Sequence, residues 1–553
     1  MTARRRICST AVLAVCLLAA GCSENTSSGS GAPEGARPAQ VERLRLAAGP
    51  PRYPSPVTGN RVSGAQVDLM FDHLVWKDGA GEVIPWLATA WSNSADGTEW
   101  RYTIRDGVKW HDGTPLTNRD VVFTYEYFTK GPALAPAGIF GAVFNENFRE
   151  VVAEGPSEVV FRMKRPWATF LLGITALVPI LPEHIWGPVT DPTRFTGPQA
   201  VIGSGPYRLE SYDEATGSAA YVANDSYFLG PPHVRRIEFV PAADQLLALQ
   251  RGDIDAADAG TEDQLPEAAL APFRQGRFET ITGPSDWNRA LHFNLSKGFP
   301  FDNVDFRRAV AAVVDLDDLV KRILFGQGVA GSPGGLAPSN PWAAPGLPAP
   351  ARDLAQARAL LDQIGMKDAD GDGVRDLPDG RRFAPELQTG TRFSSKTAEL
   401  IAEYLREVGI AVRIRTLDQA TADSNALRGE YEMAVLGYGG VGGDPDVQMR
   451  IRLSPRAIAL VSKAWGYSNP RVEELGTQQL FTASDGSRRA AVAEVQRIVA
   501  NEVPFVSLYF PTPQLTFDKA TFDAWYFTPG GIGGGRTGAL NKHVFVTGKK
   551  AGF

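Results

Sequence analysis

The sequence predicts an α/β protein of several domains, on three observations: alternating strand and helix patterns, a length suited to several cores, and no short repeat. Its 553 residues divide naturally into two to four domains. In "TEWRYTIRDG", Trp100, Tyr102 and Ile104 alternate on one face before Asp106 and Gly107, which predicts a half-buried strand and its turn. "TNRDVVFTYEYF" follows with Thr117 as N-cap and Asp120 three residues on. Val121, Val122, Tyr125 and Phe128 then form the apolar stripe of a helix. "TAELIAEYLREVGIAVRIRTLD" predicts a second such unit, a helix from Thr397 stopped at Gly409. On the strand after it, Ile410, Val412 and Ile414 alternate with polar residues. No fixed short period recurs, which argues against solenoids and propellers.

The first residues read as a leader. Arg4, Arg5 and Arg6 precede an apolar run from Ile7 to Ala20, the order of a signal peptide, and the run is shorter than the about 20 residues of a membrane span. Ala19, Ala20 and Gly21 lead into Cys22, and this stretch resembles the lipobox of bacterial lipoproteins, with Ala19 where Leu is usual. The resemblance implies a lipoprotein signal peptide over 1–21 and a lipid on Cys22; ordinary secretion with cleavage nearby is the alternative. Residues 22–40 then form the lipidated cysteine and a Ser-, Gly- and Pro-rich flexible tether. All three cysteines lie at or before position 22, so the mature chain has no disulfide framework and no thiol nucleophile. The net charge of −6 becomes −9 once the leader's three arginines are removed, which argues against nucleic acid as a partner.

Several longer stretches carry a family resemblance. "IPWLATAWSNSADGTEWRYTIRDGVKWHDGTPLTNRDVVFTYEYF", residues 84–128, closely resembles the signature segment of the extracytoplasmic solute-binding proteins of family 5, the peptide- and nickel-binding class of ABC transporters. "IGSGPYRLESYD", "LLALQRGDIDAAD", "LHFNLSKGFPFDNVDFRRAVAAVVD", "LLDQIGMKDADGDGVRD" and "EVQRIVANEVPFVSLYF" match further on, in order. The resemblance implies a two-lobed, periplasmic-binding-protein-like fold (type II, cluster C) of three domains with a hinged ligand cleft. Domain I would take residues 41–63, 200–286 and 505–553, domain II 64–199, and domain III, the second lobe, 287–504. The implied function is that of a lipid-anchored solute receptor on the outer face of the cell membrane, periplasmic where an outer membrane exists. It would deliver its ligand, oligopeptide by family default, to ABC permease subunits with cytoplasmic ATPases. The chain is expected to be a monomer, to need no cofactor and to catalyse no reaction.

In the peptide-binding members, an aspartate that pairs with the peptide α-ammonium follows an aromatic residue and two others. Here the segment reads "GYGGVGGDPD": Tyr438 holds the aromatic place, Gly439 and Gly440 intervene, and Val441 stands where the aspartate is expected. A buried ammonium needs a counter-charge. Asp444 or Asp446 takes over that role, or both support the turn around Pro445. The glycines also allow a ligand backbone or sugar to approach closely. Tyr53, Trp167, Trp287, Trp465 and Trp525 lie in stretches that approach the cleft in similar proteins, with core packing the alternative for each. Asn288 beside Trp287 completes the preferred pair, near the crossing into the second lobe.

"DADGDGVRDLPD" has calcium-loop spacing: Asp368, Asp370 and Asp372 at positions 1, 3 and 5, Gly373 at 6, Asp376 at 9 and Asp379 at 12. Asp379 is shorter than the usual Glu, so any calcium held here is expected to be structural. A surface hydrolase is disfavoured because the six histidines are scattered and neither H-E-x-x-H nor a G-x-S-x-G elbow occurs; His111 reads as structural. A ligand sensor on the same fold, or a binder of a glycan fragment or chelated metal, remains the alternative function.

Overall fold

Three larger sheets organise the described chain, which comprises residues 40–57, 65–132, 147–260, 267–347, 351–391, 395–438, 444–446, 453, 465–532 and 539–552 of the computed structural model. The first has seven strands in the spatial order Phe278–Thr282, Gln514–Asp518, Ala256–Gly260, Leu44–Ala47, Arg236–Val240, Ala219–Ala223 and Tyr207–Tyr212. Leu44–Ala47 runs parallel to both of its neighbours, and the outer pairings are antiparallel. The second has six, in the order Gly328–Ala330, Phe505–Pro511, Asn288–Phe293, Met433–Tyr438, Glu386–Gly390 and Arg413–Leu417. The third is antiparallel throughout: Ala88–Asn93, Glu99–Ile104, Glu158–Met163 and Phe148–Glu154.

Local chemistry explains the elements. Helix Asn118–Thr129 starts at a true capping box: the Thr117 side chain accepts from the Arg119 N–H at 3.3 Å, and the Thr117 N–H donates to Asp120 at 2.8 Å. Gly107 takes φ +73°, the left-handed turn that ends strand Glu99–Ile104. Strand Asn288–Phe293 is buried at every position because it lies inside its sheet with both faces covered. Leu291 and Phe293 pack into one core with Val435 and Leu387, whereas Ala290 faces a second core with Ala434 and Phe505.

Two expectations shift. Strand Phe505–Pro511, assigned from sequence to domain I, lies in the six-stranded sheet, paired with both Asn288–Phe293 and Gly328–Ala330. Its seven buried residues cover a core on each face, so the chain returns to the first sheet only at Gln514. The strand expected from Ile410 begins instead at Arg413, and Ile414 is 40% exposed. This is the edge strand, where arginines on the open side are tolerated.

The largest core joins the seven-stranded and four-stranded sheets. Within that half, Asp72 is fully buried and accepts from Trp86 Nε1 at 2.7 Å, Tyr227 OH at 2.9 Å, Ser204 Oγ at 2.9 Å and Lys542 Nζ at 2.9 Å. The Lys542 ammonium also lies over the Trp76 and Trp86 rings, so both buried charges are paired and hydrogen-bonded.

Candidate functional site

Two crossings join the half built on the seven- and four-stranded sheets to the half built on the six-stranded sheet. One runs from Phe278–Thr282 into Asn288–Phe293, the other from Phe505–Pro511 into Gln514–Asp518. The crossings are neighbours because their flanking strands are antiparallel partners on both sides, Thr282 opposite Gln514 and Arg289 opposite Tyr509. The Gly283 N–H donates to the Pro513 carbonyl at 2.8 Å, and the Ser285 and Thr512 hydroxyls lie 2.7 Å apart. Thr512 N–H also donates to the Gln327 carbonyl at 3.2 Å. Gly283 has no room for a side chain, since a Cβ there would meet the Phe527 ring at 2.5 Å. Two short paired crossings between large sheets have the form of a hinge.

A second contact joins the halves away from these crossings. Ala168 N–H donates to the Leu480 carbonyl at 2.9 Å, and the Arg165 guanidinium lies 3.6 Å from the centre of the Phe481 ring. The crossings and this contact are places where the two halves meet.

Asp444 reaches this region from the second lobe. Its carboxylate accepts from Arg488 Nη1 at 2.8 Å and Nη2 at 2.7 Å, a two-pronged pair in which the Arg488 side chain is 6% exposed and that of Asp444 40%. Gln479 holds the guanidinium from behind, its carbonyl accepting from Nε at 3.1 Å, and Trp342 covers its face at 4.6 Å. Asp446 is buried, accepts from Gln479 Nε2 at 2.6 Å, and donates its N–H to Asp444 at 2.9 Å. Lys77 of the first lobe is buried too. Burial lowers its pKa, and the charges of Glu82 and Asp444 oppose that lowering. The Lys77 ammonium donates to the Pro529 carbonyl at 3.2 Å.

The other predicted residues fall in several places. Trp287 is half-buried at the first crossing, with Arg289 against its ring at 5.9 Å. Asn288 beside it is fully buried, donating to the Gly335 carbonyl and accepting from Ser507 Oγ, each at 3.0 Å. Trp167 is buried within the second contact, its Nε1 donating to Thr169 at 3.0 Å. Tyr53 meets Tyr212 edge-on at 5.4 Å, on the edge strand of the seven-stranded sheet opposite the crossings. Trp465 packs in a core against His292 and Phe505, and Trp525 against Phe522 and Phe545. The Tyr438 backbone pairs with Asn288, at the cleft end of its strand. Gly439, Gly440, Val441 and Cys22 lie outside the described residues.

In the acidic loop, Asp368, Asp370 and Asp372 come together, with one oxygen of each within 4.8 Å of the others. Asp376 instead accepts from the Ala369 N–H at 3.1 Å, Asp379 pairs with Arg381 at 2.8 Å, and Asp372 also meets Arg382. His111 is held between two backbones: its Nδ1 accepts from the Gly203 N–H at 3.2 Å and its Nε2 lies 3.0 Å from the Gly205 carbonyl. Burial lowers its pKa to about 4. Sequence reasoning missed Lys77, Arg488 and Phe481. An arginine within a polar helix looks solvated until its partner, 44 residues earlier, is placed beside it.

Residues 82–459 match the family described as bacterial extracellular solute-binding proteins, family 5, middle region. A probable D,D-dipeptide-binding periplasmic protein of Escherichia coli (strain K12) is 27% identical over 445 residues, 78% of this chain and 80% of that one. Protein XP55 of Streptomyces lividans is 29% identical over 457 residues, 79% and 78% of the two chains. The fold matches a periplasmic oligopeptide-binding protein of an ABC transporter from Thermotoga maritima with a TM-score of 0.76 at 22% identity, covering 88% of this chain and 94% of that one. The same protein has been solved with mannohexaose bound, where the TM-score is 0.73.

Proposed function

Because the chain belongs to the bacterial extracellular solute-binding proteins of family 5, we propose that it captures a peptide-class solute by lobe closure and hands it to an ABC permease. Such a protein is a receptor and not an enzyme. The observation that carries the reading is the pair of hydrogen-bonded crossings between two lobes that also meet at Leu480. A ligand that touches both lobes stabilises the closed form by its differential affinity for it. The Escherichia coli relative's D,D-dipeptide name and the oligopeptide name of the Thermotoga protein support a peptide ligand.

One observation favours a second ligand class. Asp444, the first carboxylate after position 441 in the sequence, is already engaged by Arg488, and the Thermotoga protein has been solved with mannohexaose. A glycan fragment or other uncharged, hydrogen-bonding solute therefore stands beside the peptide.

The leader supports anchoring through Cys22, with the Ser- and Gly-rich segment after it as tether. Among the described residues no helix is long and apolar enough to cross a membrane. Stable anchoring requires at least two acyl chains. Capture itself requires no cofactor; a calcium ion at Asp368, Asp370 and Asp372 would serve to stiffen a surface loop.

The experiment is uptake of labelled peptides of two to five residues by cells with and without the gene. Loss of uptake on deletion, restored by the wild-type chain, is the expected result. Unchanged uptake with altered gene expression would point to sensing.

A further inference from the structure

We infer that the end of helix Pro470–Leu480 is a clasp that holds the lobes together through protein contacts alone, so that closure is biased before any solute adds its contacts. The helix belongs to the second lobe, where it packs along Asp485–Glu502. Its last residue does not. Leu480 is 2% exposed and is buried in the core of the first lobe, and Phe481 packs on that same core. The Leu480 carbonyl, one of the orphan acceptors at a helix C-terminus, is satisfied across the lobe boundary by Ala168 N–H at 2.9 Å. Arg165 caps the Phe481 ring from the first lobe at 3.6 Å, a cation–π contact that desolvation strengthens.

These are three different chemistries at one place: apolar burial, a backbone hydrogen bond and a cation over a ring. None involves the hinge or the Asp444 cluster. Opening would expose Leu480 and Phe481 and leave the Leu480 carbonyl to water, so every contact at the clasp opposes it. The clasp also sets a limit on the ligand. Backbone meets backbone at Ala168 and Leu480, which leaves no passage there, so a long chain must leave the cleft elsewhere.

The inference deepens the proposed capture step, and its test reads lobe closure whether or not any solute is bound or transported. A Cβ built on Gly97 of the first lobe lies 3.3 Å from the Ala483 Cβ of the second, close to the roughly 3.5 to 4.5 Å that a disulfide spans. The full chain carrying Gly97→Cys and Ala483→Cys is equilibrated in a glutathione redox buffer, and the linked peptides are quantified by mass spectrometry. The link is expected to form without added solute, and its yield to fall about tenfold or more when Leu480→Ser and Phe481→Ser are added. No link, or a yield indifferent to those two changes, would overturn the clasp.

Gly97 has φ +71° and its Cβ would also press on Pro166, so the cysteine variant can fail to fold. X-ray scattering on the full chain with Phe481→Ser alone gives an independent reading. A larger radius of gyration than wild type is expected, and an identical one would overturn the proposal.

Discussion

Asp444 accepts both prongs of the Arg488 guanidinium, a side chain only 6% exposed and fixed from behind by Gln479. Removing the carboxylate leaves a buried cation without its counter-charge. Asp444→Asn is expected to cost about 2 kcal/mol, below the full penalty of a buried pair because Asp444 itself is partly solvated. Urea unfolding measures it, and adding Arg488→Met should recover part of the loss. An unchanged midpoint in Asp444→Asn would show that Asp444 is free for other work, such as meeting a ligand amine.

Asp72 and Lys542 form a fully buried pair in the first lobe, with both residues at most 1% exposed. Asp72→Asn removes the charge yet keeps the shape, so the stranded Lys542 ammonium should cost about 3 to 5 kcal/mol. The expected readout is a lowered melting temperature. A double variant with Lys542→Met should lose less than the two single effects added together.

His111 makes stability depend on pH. Its folded pKa of about 4 lies below the ordinary 6.5, because burial disfavours the charged ring. Between those values the unfolded chain binds the proton and the folded one does not, so stability is complete above pH 6.5 and declines as pH falls towards 4. The loss amounts to at most about 3 kcal/mol. Unfolding free energies of wild type and His111→Gln, measured from pH 7 to 4, should diverge at the upper end and converge at the lower. Parallel curves would contradict this role for the ring.

Gly283 at the first crossing is closed in by Phe527. Gly283→Ala should lower the melting temperature through overpacking of typically 1 to 3 kcal/mol, and Phe527→Ala in the same chain should relieve the clash. Additive losses in the double variant would mean that the two residues do not meet.

Local features were legible in the sequence, and distant pairings were not. Thr117, Asp120 and the Asp106–Gly107 turn carry their own signals within a few residues, and the structure forms the cap and the turn where they stand. The alternation at Ile410, Val412 and Ile414 marks β character, but it cannot say which strand lies at an edge. There Ile414 is exposed, while Ile410 is buried in the connection before the strand. The place of Phe505–Pro511 is not legible from its own residues, because its partners, near residues 289–292 and 328–330, lie about two hundred positions away. The site chemistry was hidden for the same reason, since Arg488 acquires meaning only from Asp444, 44 residues earlier in the same lobe, and Phe481 only from Arg165 across the lobes.

Capture of a solute between the lobes is tested by thermal unfolding with and without candidate solutes. A ligand at 100 times its dissociation constant should add about 2.7 kcal/mol and raise the transition by a few degrees. Such a rise is expected with a pool of free-amine peptides of two to five residues or, for the second ligand class, with oligosaccharides. An unmoved transition with both panels, on protein shown to be free of bound solute, would contradict it.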